Sequence, residues 1–258
     1  MVKDIWGSSK VARLAAAKAI NKGDLQKIHE SFCLDCPIAP WPYGNATSIN
    51  PLLVMLGASP GDSPSAGDTG FLQPGSHPLP TAGYPHPGTA YQDTKGYWDK
   101  LRGLAREFLT PTGGSLDDAL ALFGNVNLDT SRNGEAQQVV VDLAFAKWVL
   151  KTISNGLRPR FLVLLGLSGY LKSNPEVNKL FEQTFRGFDS RRPHREIRFA
   201  GYLQKNFMFR EWDVLNGAGE QMMIVMWPQH PSRAPFSNMD TWQASCTEFS
   251  ERYGRLIE

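Results

Sequence analysis

The chain has 258 residues, 41% of them hydrophobic, and its 27 Lys and Arg against 25 Asp and Glu leave a net charge of +2. That length can bury a full core as one large domain, and the near-balance of charge excludes nucleic-acid binding by bulk charge, so any such contact must come from local clusters. Apolar runs are of strand length, far short of the roughly 20 residues of a membrane helix. Residues 1–30 hold no apolar signal-peptide core, and three cysteines give no disulfide framework, so the expectation is a cytoplasmic globular monomer.

In chain order, residues 8–31 read as helices, with Val11, Leu14, Ala15 and Ala19 in helical spacing and a break at Lys22-Gly23-Asp24. A Pro-rich stretch over 32–50 leads into Leu52-Leu53-Val54-Met55-Leu56, an unbroken apolar run that predicts a buried strand. Residues 57–93 show no periodicity and are dominated by Gly, Pro, Ser and Thr; so long a loop in a compact domain is either functional or disordered. Tyr97, Leu101, Leu104 and Phe108 mark an amphipathic helix. Ser115 to Phe123 reads as a short helix capped by Ser115.

Gly124-Asn125-Val126-Asn127-Leu128 is a weak second-strand candidate, and 136–155 a helix burying Val140, Leu143, Ala144 and Trp148. Residues 160–166 form the clearest strand, with a helix expected from Pro175 to Phe185. Residues 186–220 break the rhythm and read as an inserted hairpin. Met222 to Trp227 is a further buried strand. The closing helix carries Met239, Trp242, Cys246, Phe249 and Tyr253 as its stripe, with Ser237-x-x-Asp240 as a capping box and Gly254 as its stop. Strands alternating with helices predict α/β: three layers, α/β/α, around a central, mostly parallel four-stranded sheet. The whole of 1–258 reads as a single domain, with 1–50 as an N-terminal extension.

Two loops carry the chemistry. The first strand runs into Gly57-Ala58-Ser59-Pro60-Gly61-Asp62, and the last into Pro228-Gln229-His230-Pro231-Ser232. Glycines at 57 and 61 let backbone approach a ligand and Pro60 fixes the turn, although the loop taken alone reads more readily as an ordinary strand-to-helix turn. In open α/β sheets ligands sit beyond the carboxyl ends of the strands, so both loops can meet over one site. Asn125 and Asn127 are two apart, which on a strand turns both to one side. Gly166-Leu167-Ser168-Gly169 follows the third strand, a weak phosphate-turn signal. Arg186, Arg191, Arg192, His194, Arg195 and Arg198 crowd together, either as a solvated loop or as a DNA-backbone contact. Cys33-x-x-Cys36 lacks the second pair that a four-thiolate site needs, and Cys246 sits on an apolar stripe; neither a metal nor a cofactor is expected.

The Gly-x-x-Pro-Gly loop paired with His-Pro-Ser resembles the uracil-DNA glycosylase superfamily, over roughly residues 50–250. The resemblance implies base flipping followed by hydrolysis of an N-glycosidic bond in DNA. It makes His230 the donor to the base anion and Asn127, or Asn125 on a one-step shift, the reader of the base edge. Ser232 and Ser168 become phosphate contacts, and Arg233 or Phe236 the wedge that fills the vacated stack. Gly57, Ala58 and Gly61 would line the base pocket, and one of Phe71, Tyr84 and Tyr91 would stack on the base, Phe71 being nearest the motif. Ser59 stands where the superfamily commonly has Asp, Asn or Ala, and a hydroxyl holds water without acting as its base near neutral pH. Asp62 and Asp68 are the nearest acids, so the water-activating group stays open between Asp62, Asp68 and neither. Gly61 replaces a Tyr that blocks C5 substituents in the uracil-specific branch, so uracil or a bulky 5-modified pyrimidine are both candidate bases, in repair or in defence. If the Arg-rich run is a DNA contact and not a solvated loop, Arg191, Arg192 and Arg195 are its candidate residues. A catalytically inactive nucleic-acid-binding module of the same fold is the alternative, and a hydrolase of free nucleosides a more distant one.

Overall fold

A computed structural model describes residues 10–19, 51–58, 97–110, 113–120, 122–128, 143–199 and 207–258. In chain order they form α1 (Lys10–Ala19), β1 (Leu53–Gly57), α2 (Tyr97–Leu109), α3 (Leu116–Leu120), β2 (Phe123–Asn127) and α4 (Leu143–Lys151). A π-helical turn (Thr152–Leu157) leads to β3 (Phe161–Leu165), α5 (Ser168–Ser173), α6 (Pro175–Thr184), β4 (Arg195–Arg198), β5 (Met208–Leu215), β6 (Gln221–Trp227) and α7 (Met239–Tyr253). Ser115 caps α3 as expected: its Oγ accepts from Asp118 N–H, and Asp118 Oδ2 accepts from Ser115 N–H, both at 3.2 Å.

The sheet has six strands in the order β2-β1-β3-β6-β5-β4 and is mixed. The expected four-stranded sheet is therefore corrected. Strands β2, β1, β3 and β6 run parallel, while the segment expected to be an inserted hairpin adds β5 and β4 antiparallel along the β6 edge. The parallel strands are buried on both faces, which explains their unbroken apolar composition. Leu53, Met55, Phe161, Val163, Met223, Val225 and Trp227 face one core with residues of α2 and α7. Val54, Leu56, Leu162, Leu164, Ile224 and Met226 face a second core with residues of α4, α5 and α6. Helices thus cover both faces of the sheet.

Three packing details differ from the sequence expectation. Trp148 of α4 is buried as expected, but Leu143 and Ala144 are exposed and the helix buries Phe145, Ala146, Val149 and Leu150 beside it, its inward face rotated from the expected one. Helix α7 is capped by Asn238, whose Oδ1 accepts from Thr241 N–H at 3.0 Å, one residue after the expected Ser237. Met239 lies outside the apolar stripe, exposed at the first turn, while Cys246 is buried and burial pushes its thiol pKa well up.

Polar groups inside the fold act as ties. The Arg13 guanidinium donates to Pro51 O at 2.9 Å and Arg158 O at 3.3 Å, fastening α1 beneath β1, and burial pulls its pKa down to about 10 against the opposing charge of Glu220. Glu211 of β5 is buried between the Tyr253 hydroxyl, which donates to Oε1, and Arg195 Nε, which donates to Oε2 at 2.7 Å. No helix among the described residues is long and apolar enough to cross a membrane.

Candidate functional site

The strand order fixes where a ligand can enter. Strands β1 and β3 are neighbours, but α2, which follows β1, packs on one face, whereas α5 and α6, which follow β3, pack on the other. In open α/β sheets such a change of packing face between adjacent strands marks the switch point, beyond whose carboxyl ends ligands commonly bind. Along that edge the register places Asn127 beside Gly57, and β3 ends beside Trp227 of β6. From β2 to β6 the edge spans three strand spacings, roughly 14 Å.

Beyond β3, Gly166 adopts φ 64°, and a Cβ there would lie 2.6 Å from His230 N and 3.0 Å from Gln229 C. Only glycine combines that left-handed backbone with so close an approach. Gly166 N–H also donates to Trp227 O at 3.2 Å. The Gly166 turn and the His230 loop are therefore packed backbone to backbone, and Ser168 is exposed at the start of α5, two residues on.

His230 is half-buried. Its Nδ1 accepts from Ser232 N–H at 3.3 Å and lies 2.6 Å from Ser232 Oγ. Acceptance from the Ser232 N–H requires the tautomer with the ring proton on Nε2, and donation to the nearer Ser232 hydroxyl requires the opposite one. Ser232, expected as a phosphate contact, turns its hydroxyl onto the imidazole. The loop is further closed by Arg233 N–H to His230 O at 2.9 Å and Ser237 N–H to Arg233 O at 2.8 Å.

Under this loop lies Lys100 of α2, 2% exposed. Its Nζ donates to Pro231 O at 2.9 Å and to Ser237 O at 3.0 Å, and its own carbonyl accepts from Trp242 Nε1 at 2.9 Å. Sequence reasoning passed over it, yet a signal exists. Lys100 falls three after Tyr97 and four before Leu104, on the apolar stripe itself, where a lysine must find oxygen partners to be buried.

Other expected site residues fall apart from this group. Phe236 is fully buried against Phe199, Phe207, Trp227 and Trp242. That is a correction: its ring belongs to the core and is not available as a wedge, whereas Arg233 is exposed. Arg195 pairs with Glu211 and with Asp213 Oδ2 at 3.3 Å. Burial opposes its charge, but Glu211 and Asp213 outweigh it and raise the pKa, so the guanidinium is committed within the sheet. Arg191 and Arg192 are exposed in a turn fixed by Trp212 Nε1 donating to Asp189 O at 2.7 Å. Trp212 pairs with Ile224, level with the middle of β6, so that turn is not brought to the carboxyl edge. Gly57 and Ala58 are buried at the end of β1. Ser59, Gly61, Asp62, Asp68, Phe71, Tyr84, Tyr91, Cys33 and Cys36 lie outside the described residues, as do the side chains of Asn125 and Asn127. Among the described residues no group of three or more His, Cys, Asp or Glu is set to hold a metal ion.

No protein-family model matches the chain, and no curated protein matches it.

Proposed function

We propose that this protein is a DNA glycosylase of the uracil-DNA glycosylase type, built as three layers, α/β/α, that hydrolyses the N-glycosidic bond of a flipped-out uracil or 5-modified pyrimidine. The observation that carries the reading is His230: an imidazole just beyond the carboxyl end of the parallel strand β6, with Nδ1 within hydrogen-bond distance of the Ser232 N–H and hydroxyl; with Nδ1 as acceptor, Nε2–H is the donor this reading requires. In the reaction the bond from C1′ to the base nitrogen breaks and its electron pair passes to the base, where it spreads onto O2. A preset neutral donor stabilises that charge without surrendering its proton. Water adds to the oxocarbenium carbon and loses a proton, leaving an abasic sugar and the free base. Asn127, or Asn125, reads the base edge, water is held near Ser59 and Asp62, and Ser168 and Arg233 contact the DNA strand. The reaction needs no cofactor.

A binding module without chemistry is the second reading, favoured by the Ser59 hydroxyl, which leaves no acid at the position where the superfamily commonly has Asp, Asn or Ala. The test is alkaline strand cleavage of duplex oligonucleotides holding uracil, thymine opposite guanine, hypoxanthine, 5-hydroxymethylcytosine or its glucosylated form, with parent and His230→Ala. Cleavage of one substrate that the variant abolishes establishes the glycosylase and names its base. Duplex binding without cleavage of any substrate favours the module.

A further inference from the structure

We infer that Lys100 is a positioning residue that sets the protonation form of His230 through the Pro231–Ser232 peptide. The inference rests on His230 being the group that serves the ligand. The peptide unit between Pro231 and Ser232 is planar and trans, so its C=O and N–H point in opposite directions. Lys100 Nζ donates to the C=O at 2.9 Å, and the N–H donates to His230 Nδ1 at 3.3 Å. One peptide plane therefore connects a buried ammonium to the imidazole. The cation fixes the tilt of the plane and draws electron density toward the carbonyl oxygen, which makes the N–H a stronger donor. Nδ1 is held as an acceptor, and the ring proton is held on Nε2.

The second contact extends the control. Lys100 also donates to Ser237 O, so a single ammonium holds both ends of the turn 231–237 that carries Ser232 and Arg233. Its anchorage is rigid: the Lys100 carbonyl accepts from Trp242 Nε1, and Leu101 and Leu104 beside it are fully buried. A lysine needed only for stability is readily replaced by an apolar residue in such a place; here the three donors of an ammonium meet two carbonyls of one functional loop.

The experiment reads the imidazole directly, by long-range proton–nitrogen NMR of His230, assigned by the signal lost in His230→Ala. In the parent the proton is expected on Nε2 alone; a parent spectrum with the proton on Nδ1 overturns the inference with no further variant. In Lys100→Met, with circular dichroism unchanged, His230 is expected to shift to a mixture of the two tautomers. Cleavage kcat is expected to fall about ten- to a hundredfold, the worth of one charge-assisted hydrogen bond, with KM little changed. Lys100→Arg, which keeps donors and charge, is expected to restore part of both readouts and stands in if the methionine variant does not fold. An unaltered tautomer and kcat in the folded variants overturn the inference. Absence of cleavage by the parent refutes the glycosylase reading alone, because the tautomer measurement still decides the role of Lys100.

Discussion

Replacing Gly166 by alanine tests whether the β3 turn and the His230 loop form one packed unit. The added Cβ would meet His230 N at 2.6 Å and Gln229 C at 3.0 Å, both backbone atoms that no rotamer change can move aside. The φ of 64° adds about 1–2 kcal/mol of strain for any residue with a side chain. Overpacking against fixed atoms adds about 1–3 kcal/mol. A total near 3 kcal/mol lowers Tm by roughly 6–12 °C in a protein of this size. Gly169, three residues on, is the internal control: it sits in α5, and a Cβ added there would meet nothing within 4 Å. Gly169→Ala is expected to leave Tm unchanged or to raise stability by about 0.5–1 kcal/mol. Thermal unfolding followed by circular dichroism separates the two. If Gly166→Ala unfolds within a degree of Gly169→Ala, the close approach of the two loops is wrong.

Phe236→Ala is expected to cost about 3–5 kcal/mol as a core truncation, while Arg233→Ala leaves Tm unchanged and weakens duplex binding and cleavage; denaturant unfolding beside cleavage kinetics checks both. Asn238→Ala should lose about 1 kcal/mol with the α7 cap, and Ser237→Ala should stay within about 0.5 kcal/mol, a difference read from urea midpoints. The Tyr253 hydroxyl has its pKa raised above the ordinary 10.0, by burial first and then by the hydrogen bond and charge of Glu211. A proton held more tightly in the folded state gives stability that is fully present below about pH 10 and lost as pH rises beyond it. Urea unfolding across pH 8–11 should show that loss, and Tyr253→Phe should lower stability at neutral pH while flattening the alkaline slope.

Composition made some elements readable and hid others. The strands β1, β3 and β6 are apolar throughout because both their faces are covered, and that pattern is visible without coordinates. The strand β5 was hidden because Arg210, Glu211 and Asp213 interrupt its apolar residues: Glu211 is buried only by pairing with Tyr253 and Arg195, partners distant in sequence. The edge strand β4 reads Arg-Glu-Ile-Arg, a charged edge that resists further pairing and looks like a loop in the sequence. At the site, the His-Pro-Ser turn and Gly166 were legible, since glycine and proline mark special backbone. Choosing between Arg233 and Phe236 was not, because either fits a turn and only the packing against Trp227 and Trp242 puts Phe236 inside. The reach of Lys100 to a loop more than a hundred residues away depends on α2 packing beside α7, which local sequence does not encode.

The central claim is that His230 stabilises a departing base. Its most direct test is mass spectrometry of the free base and the abasic strand released from the best duplex substrate, by the parent and by His230→Ala at matched concentration. The account predicts equal amounts of base and abasic sugar from the parent, and release slowed by about a hundredfold or more in the variant, as for loss of a preset oxyanion donor. Equal rates from the two proteins, or strand breakage without free base, would contradict it.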